Sequence, residues 1–195
     1  MRMQGLASEE STRRTLLVIV TLFLTTFAGL ATAQDKDETF IYAAVEGDLK
    51  KVEAFLNEGA KVNAKGQESN RTALMWASLR GHFDVVRLLL EKGADVNARD
   101  DNGETALLSA SGKGGIDVVR LLLEKGADVH ARDKNGRSAL MTPSWLGQTD
   151  VVRLLLEKGI DVNAADKNGR TALMWASEQG HTEVAGLLRN HGATK

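Results

Sequence analysis

The stretch Asp84–Asp100 reads DVVRLLLEKGADVNARD, and it recurs as DVVRLLLEKGADVHARD at Asp117–Asp133 and DVVRLLLEKGIDVNAAD at Asp150–Asp166. Each copy begins 33 residues after the previous one. A fixed period of this length marks a stack of one small unit, in which every unit buries its apolar face against its neighbours. Stacks of this kind present an extended surface, so the period points first to protein binding rather than catalysis.

Upstream of each copy lies a second recurring element: RTALMWAS at Arg71–Ser78, ETALLSAS at Glu104–Ser111, RSALMTPS at Arg137–Ser144 and RTALMWAS at Arg170–Ser177. Each unit therefore reads as a turn, a short helix, a tight Gly turn, a second helix and a Gly stop. The Asp-x-Asn-Gly runs at Asp100–Gly103, Asp133–Gly136 and Asp166–Gly169 are turn chemistry. The Asp carboxylate bonds its own backbone and Gly takes the left-handed position. Thr72, Thr105, Ser138 and Thr171 follow as expected N-caps, each with a hydroxyl that can accept from a free helix N–H. Leu74, Ala77, Leu107, Ala110, Leu140, Leu173 and Ala176 are expected to face neighbouring helices. In the second helix Val85, Val86, Leu88, Leu89 and Leu90 form a broad apolar stripe. Asp84, Asp117 and Asp150 fall in its first turn, where negative charge suits the helix dipole. Lys92, Lys125 and Lys158 are expected in the last turn, with Gly93, Gly126 and Gly159 as left-handed stops.

These motifs resemble the ankyrin repeat, with its 33-residue unit of two antiparallel helices and a projecting turn. The resemblance covers about Glu38 to Ala193 and rests on Asp-x-x-Gly-x-Thr-x-Leu, on Gly-His at Gly81-His82 and Gly180-His181, and on Gly-Ala-Asp-Val-Asn, all in register. It implies an all-α solenoid of about five helix-turn-helix repeats with projecting β-turns. The expected units are 38–68, 69–101, 102–134, 135–167 and 168–195. The family's signature Pro and His are replaced by Ala and by Met or Leu, so the usual histidine bond of that motif is not expected. The turn Lys65–Arg71 is one residue longer than its sisters and lacks Asp-Asn-Gly. Both ends read as caps: Lys51 stands where Val85, Val118 and Val151 stand later, and Arg189 where Leu90, Leu123 and Leu156 stand earlier. Polar outer faces of this kind keep a solenoid soluble.

Residues 1–33 are a different kind of sequence. Arg2, Arg13 and Arg14 precede the apolar run LLVIVTLFLTTFAGL (Leu16–Leu30), then Ala31-Thr32-Ala33 and a polar segment. A basic head, an apolar core and a small-x-small end predict a secretory signal peptide cleaved after Ala33, leaving a domain at 34–195. The alternative is an uncleaved anchor, since Thr15–Ala33 is just long enough to span a bilayer. Thr12–Leu16 faintly resembles a twin-arginine signal, although the apolar core suits the ordinary secretion route.

Little in the chain suggests chemistry. It has 195 residues, a net charge of −1 and no Cys, which excludes disulfides, thiol nucleophiles and cysteine zinc sites. No basic stretch interleaves with aromatics, so nucleic acid is not an expected partner. His82, His130, His181 and His191 show no metal-ligand spacing. His82 and His181 read as structural Gly-His turns, and His130 as a substitute for the Asn at Asn97 and Asn163. Ser109–Gly115 hints at a phosphate loop but lacks its first Gly and its Ser or Thr. Asn70-Arg71-Thr72 is a glycosylation sequon that matters only in a eukaryotic source. No catalytic residue, cofactor, metal or small-molecule substrate is expected.

In ankyrin-like arrays the turn tips and first helices line a concave groove. The resemblance places Arg71, Leu79, Arg80, Asp101, Asn102, Glu104 and Lys113 there, then Lys134, Asn135, Arg137, Trp145 and Leu146, and finally Lys167, Asn168, Arg170, Glu178 and Gln179. Most are polar, as a solvated face would be. Trp145-Leu146 stands out, because the corresponding pairs are Gly112-Lys113 and Glu178-Gln179. Either this pair is an exposed binding hot spot, or Pro143 kinks the short helix and turns Trp145 into the core; the inward packing carries slightly more weight. Trp76 and Trp175 read as half-buried packing residues. The expected protein is thus a monomeric, exported, non-enzymatic module, bacterial and periplasmic, binding another protein. A membrane-tethered scaffold and a secreted host-directed effector are the alternatives. A hydrolase using groove carboxylates or histidines lacks any convergent set of residues.

Overall fold

The structure, a computed structural model, describes residues 36–194 apart from Glu68. The expected signal segment 1–33 lies outside the described residues. Among the described residues ten α-helices form five pairs: α1 (36–46) with α2 (Leu49–Asn57), α3 (Ala73–Arg80) with α4 (Phe83–Glu91), α5 (Ala106–Ser109) with α6 (Ile116–Glu124), α7 (Met141–Leu146) with α8 (Thr149–Glu157), and α9 (Ala172–Glu178) with α10 (Thr182–Asn190). First helices stack on first helices and second on second: α3 on α5, α7 on α9, and α4, α6, α8 and α10 in series. The described residues contain no strand, only isolated bridges such as Lys65–Thr72 and Ala165–Thr171. The all-α solenoid follows from the repeat, since no single pair can bury its apolar stripe alone.

The core is the interior of this stack. Leu74, Ala77, Leu107, Ala110, Leu173 and Ala176 are buried on the first helices, Leu140 just ahead of one, and Val85, Val86 and Leu89 with their repeats on the second. The ends turn polar as expected. Lys51 is exposed and bonds Asp48, whose side chain caps α2 by accepting from the Lys51 N–H at 3.1 Å. That backbone bond, with the Lys51 ammonium beside it, holds the Asp48 carboxyl below its usual range. Its contribution to stability is present above that range and fades as pH falls through the lowered value. Arg189 is exposed at the other end.

Caps and stops follow the local chemistry, with two corrections. Thr72, Thr105 and Thr171 accept from the N–H groups of Met75, Leu108 and Met174. Ser138 does not cap. Its helix starts only at Met141, the Met141 N–H bonds the Ser138 carbonyl at 3.2 Å, and the Ser138 hydroxyl is buried without a partner. Pro143 explains the late start, because it has no N–H for the first turn and its ring crowds the carbonyl four residues back. The second correction concerns Lys92, Lys125 and Lys158, which sit just past their helices rather than in the last turn. Gly93, Gly126 and Gly159 do take left-handed φ values of 84, 86 and 77°. In the longer turn Asn70, at φ 55°, stands where Gly103 stands one repeat later.

Neighbouring repeats are tied by hydrogen bonds at the same place in each unit. The N–H groups of Asp101, Lys134 and Lys167 bond the carbonyls of Ser69, Asn102 and Asn135, joining successive turn tips. At the other turn, the Asn63 side chain accepts from the Asp95 N–H and donates to the Gly93 carbonyl; Asn97 does the same to Asp128 and Gly126, and Asn163 to Thr194 and Gly192. His82 and His181 reach back to the carbonyls of Val45 and Trp145 at 3.0 and 2.9 Å. A carbonyl only accepts, so each ring carries its proton on Nε2. Gln148 makes the corresponding bond to Gly112 at 3.3 Å. The third repeat has Gly115 at that place and no side chain to reach with. There the first helix ends in a π-helical turn, Ala110–Gly114, and the left-handed residue moves from the usual position to Gly115.

His130 keeps the turn bond, its N–H donating to Asp128, but no side-chain bond to the following repeat accompanies it. His130→Asn should therefore restore two inter-repeat hydrogen bonds and raise stability by roughly 0.5–1.5 kcal/mol in urea unfolding; a midpoint that stays or falls contradicts this. Gly147 and Gly159 are both left-handed, but a Cβ on Gly147 would lie 2.6 Å from the His181 ring, while on Gly159 it meets nothing within 4 Å. Gly147→Ala should accordingly cost clearly more than the roughly 1 kcal/mol expected of Gly159→Ala.

Candidate protein-binding face

The first helices and turn tips form one continuous face, and it is built from the turns upward. In each Asp-x-Asn-Gly turn the Asp carboxylate accepts two backbone N–H groups: Asp100 from Asn102 and Glu104, Asp133 from Asn135 and Arg137, and Asp166 from Asn168 and Arg170. These bonds fix the tips before anything binds. Asp101, Asn102, Lys134, Asn135, Lys167 and Asn168 are exposed on them.

The candidate groove residues divide by what holds them. Arg71 is not a free groove cation. Its guanidinium bonds Asp100 at 3.0 Å and Glu104 at 2.6 Å in the next repeat and lies 5.0 Å from the Trp76 ring centre. Glu104 also accepts from the Ser109 hydroxyl, and Asp101 from the Asn70 side chain. The second-to-third junction is thus closed over by ion pairs. Leu79 is half-buried; Arg80, Lys113 and Gln179 are exposed. Arg170 pairs with the exposed Glu178 and stacks 3.8 Å from the Trp175 ring centre.

The fourth repeat differs. Arg137 stands opposite Arg170, where Arg71 stands opposite Glu104, so the cross-repeat pair is not available. Arg137 turns instead to Asp133 of its own turn, at 3.0 Å. Position 142 is Thr where Trp76 and Trp175 occupy the same place in their repeats. These two changes leave a cavity of about 250 Å³ lined by Arg137, Met141, Thr142, Trp145 and Trp175. Trp145 and Leu146 are 42 % and 39 % exposed, so the kink at Pro143 does not turn Trp145 into the core. Pro143 shortens the helix at its start, while α7 still ends at Gly147 with a left-handed φ of 72°, as α3 ends at Gly81 with 76°. Trp76 and Trp175 are half-buried, as packing residues would be. The repeat pattern holds the missing signal for Met141, Thr142 and Trp175: the position reads Trp, Ser, Thr and Trp along the array, and at the fourth repeat the small residue coincides with Arg137 set against Arg170.

A larger cavity, about 400 Å³, lies at the first-to-second junction between Tyr42, Gln67 and Trp76, with Glu38 already bonded to the Gln67 N–H. Among the described residues no group of His, Asp and Glu is arranged to hold a metal, and no helix is long and apolar enough to cross a membrane.

A stack of helix pairs with a preformed side-chain face and prefixed turn tips is a helical-repeat binding scaffold. The chain belongs to the ankyrin-repeat family: the sequence profile "Ankyrin repeats (3 copies)" matches it in four overlapping stretches, residues 16–100, 40–133, 96–166 and 129–195. The Drosophila melanogaster protein Palmitoyltransferase Hip14 is 42 % identical over 62 residues, 32 % of this chain and 10 % of its own length. Ankyrin repeat domain-containing protein 40 of Mus musculus is 32 % identical over 77 residues, 40 % of this chain and 21 % of its own. Mitochondrial disaggregase of Homo sapiens is 42 % identical over 67 residues, 34 % of this chain and 9 % of its own. The matches span only about a tenth to a fifth of these relatives. They rest on the repeats, so the enzyme names carry no activity to this chain.

The split between held and exposed residues is open to measurement. Arg71→Ala removes two charge-assisted bonds to partly buried partners and should destabilise by roughly 1–3 kcal/mol. Trp145→Ala, at an exposed position, should change the unfolding midpoint by less than about 1 kcal/mol. Reversal of that order in chemical unfolding would show that Trp145 is a core residue.

Proposed function

We propose that this chain is an exported, non-catalytic ankyrin-repeat module that binds another protein, as a monomer, through its first-helix face and turn tips. The observation that carries this reading is the exposed Trp145-Leu146 pair on a face whose backbone is already fixed. Large apolar side chains held open to water are costly unless they meet a partner, and a preformed face loses little freedom on binding. The exposed candidates Arg80, Asp101, Asn102, Lys113, Lys134, Asn135, Lys167, Asn168 and Gln179 would form the polar rim around them.

Export rests on the sequence of residues 1–33, and the periplasm of a bacterium is the compartment proposed. A cysteine-free chain suits an oxidising compartment, where a free thiol is a liability. The 19-residue stretch Thr15–Ala33 supports a second reading, a scaffold tethered to the membrane by an uncleaved segment.

Intact mass of the protein recovered from fractionated bacterial cells separates the two readings. A chain beginning at Gln34 in the periplasmic fraction is expected; a chain retaining residues 1–33 in the membrane fraction gives the tethered scaffold. Affinity capture beside a Trp145→Ala, Leu146→Ser variant tests the binding face. Partners retained by the parent and lost by the variant are expected, and equal capture by both moves the site off the fourth repeat.

A further inference from the structure

The cavity between the fourth and fifth repeats has the size and chemistry of a seat for one side chain. At about 250 Å³ it falls below the roughly 300–1,000 Å³ of small-molecule sites. Its walls are Met141, the methyl-bearing Thr142 and the two rings Trp145 and Trp175, with Arg137 alone supplying charge. The Trp175 indole is held under the Arg170 guanidinium, and the Trp145 backbone is fixed by the His181 bond to its carbonyl. The seat is therefore formed in advance, on a junction that carries both the histidine tie and the Asn163 tie.

The charge around it has a direction. Exposed Lys134, Arg137 and Lys167 stand on the two adjoining turn tips, with half-buried Arg170 behind them. The acidic groups nearby are already engaged: Asp133 holds backbone N–H groups inside its turn and pairs with Arg137, Asp166 holds backbone N–H groups in the next turn, and Glu178 pairs with Arg170. One repeat earlier the tip carries Asp101 and Glu104 instead. A ligand crossing the fourth and fifth tips thus meets the exposed Lys134 and Lys167 ammonium groups beside an apolar seat, with Arg137 shared with Asp133.

We propose that this seat receives a single large apolar side chain from a partner protein segment whose neighbouring residues are carboxylates. The apolar side chain fills the space left by Thr142, between Trp145 and Trp175, and the flanking carboxylates meet Lys134, Arg137 and Lys167. Arg137 is the specificity residue, since its guanidinium is the one charged group in the seat wall. This inference deepens the protein-binding reading and rests on it.

The test is a selection of random peptides displayed on phage against the immobilised full chain. Synthetic copies of the enriched peptides are then titrated into the protein while the three indole N–H resonances are followed by NMR. Enrichment of one large apolar residue flanked by Asp or Glu is expected. Titration should shift the Trp145 and Trp175 resonances and leave Trp76 unmoved. Trp145→Ala should weaken binding at least tenfold, and Arg137→Glu should reverse the preference toward basic flanks. Raised salt should weaken binding to the parent, because the flanking contacts are exposed. Enriched peptides without acidic flanks, or peptides that bind the Trp145→Ala variant equally well, overturn this seat while leaving a binding module that acts elsewhere on the face. Absence of any enriched peptide counts against both the seat and the module.

Discussion

The structure depends on one constraint: a helix pair of this length cannot satisfy its own polar groups or cover its own apolar stripe. Val85, Val86 and Leu89 are buried where α4 packs on α3 of its own repeat and between α2 and α6 on either side. The exposed turns have the same need. A carbonyl such as that of Gly126 finds its donor in the preceding repeat's Asn97, and the Lys134 N–H finds its acceptor in Asn102. Stability is then largely a property of junctions, as expected for a quasi-one-dimensional array.

That constraint also explains where function can vary. Where a tying residue changes, as at Gly115 and His130, a bond between repeats is lost, whereas positions on the first helices vary without touching a side-chain tie. Position 76 and its repeats hold Trp, Ser, Thr and Trp; position 79 and its repeats hold Leu, Gly, Trp and Glu. The opening residue of each repeat reads Arg71, Glu104, Arg137 and Arg170. Complementary signs close the junction between Arg71 and Glu104, while like signs at Arg137 and Arg170 leave the next but one open. At that junction the like sign of Arg137 and Arg170 acts together with the small Thr142 to leave the space vacant.

Much of this was legible in the sequence. The 33-residue period, the Asp-x-Asn-Gly turns and the buried positions Leu74, Ala77, Leu107 and Ala110 all follow from local chemistry that each copy repeats. Three things were not. Ser138 looked like its sister caps, but the proline five residues on withdraws the backbone geometry a cap needs. Arg71 read as a groove residue because its partners Asp100 and Glu104 lie about a repeat away, where only the stacked structure brings them close. Trp145 was balanced between core and surface, since a kink's direction is a tertiary outcome and the residue types alone favour neither.

The inter-repeat ties are also unevenly spread. The first-to-second and fourth-to-fifth junctions each carry both the histidine tie and the asparagine tie. The second-to-third junction has Gly115 in place of the histidine, and the third-to-fourth has His130 in place of the asparagine. A uniform array behaves as an even spring and frays from its ends. This one lacks one such tie at each of its two middle junctions, which are bridged instead by Arg71 on Asp100 and Glu104 and by Gln148 and Arg132. Its junctions are therefore held by different fasteners, imidazole and amide at the two ends and guanidinium or a second amide between them, so the same stack is closed by different chemistry at each step.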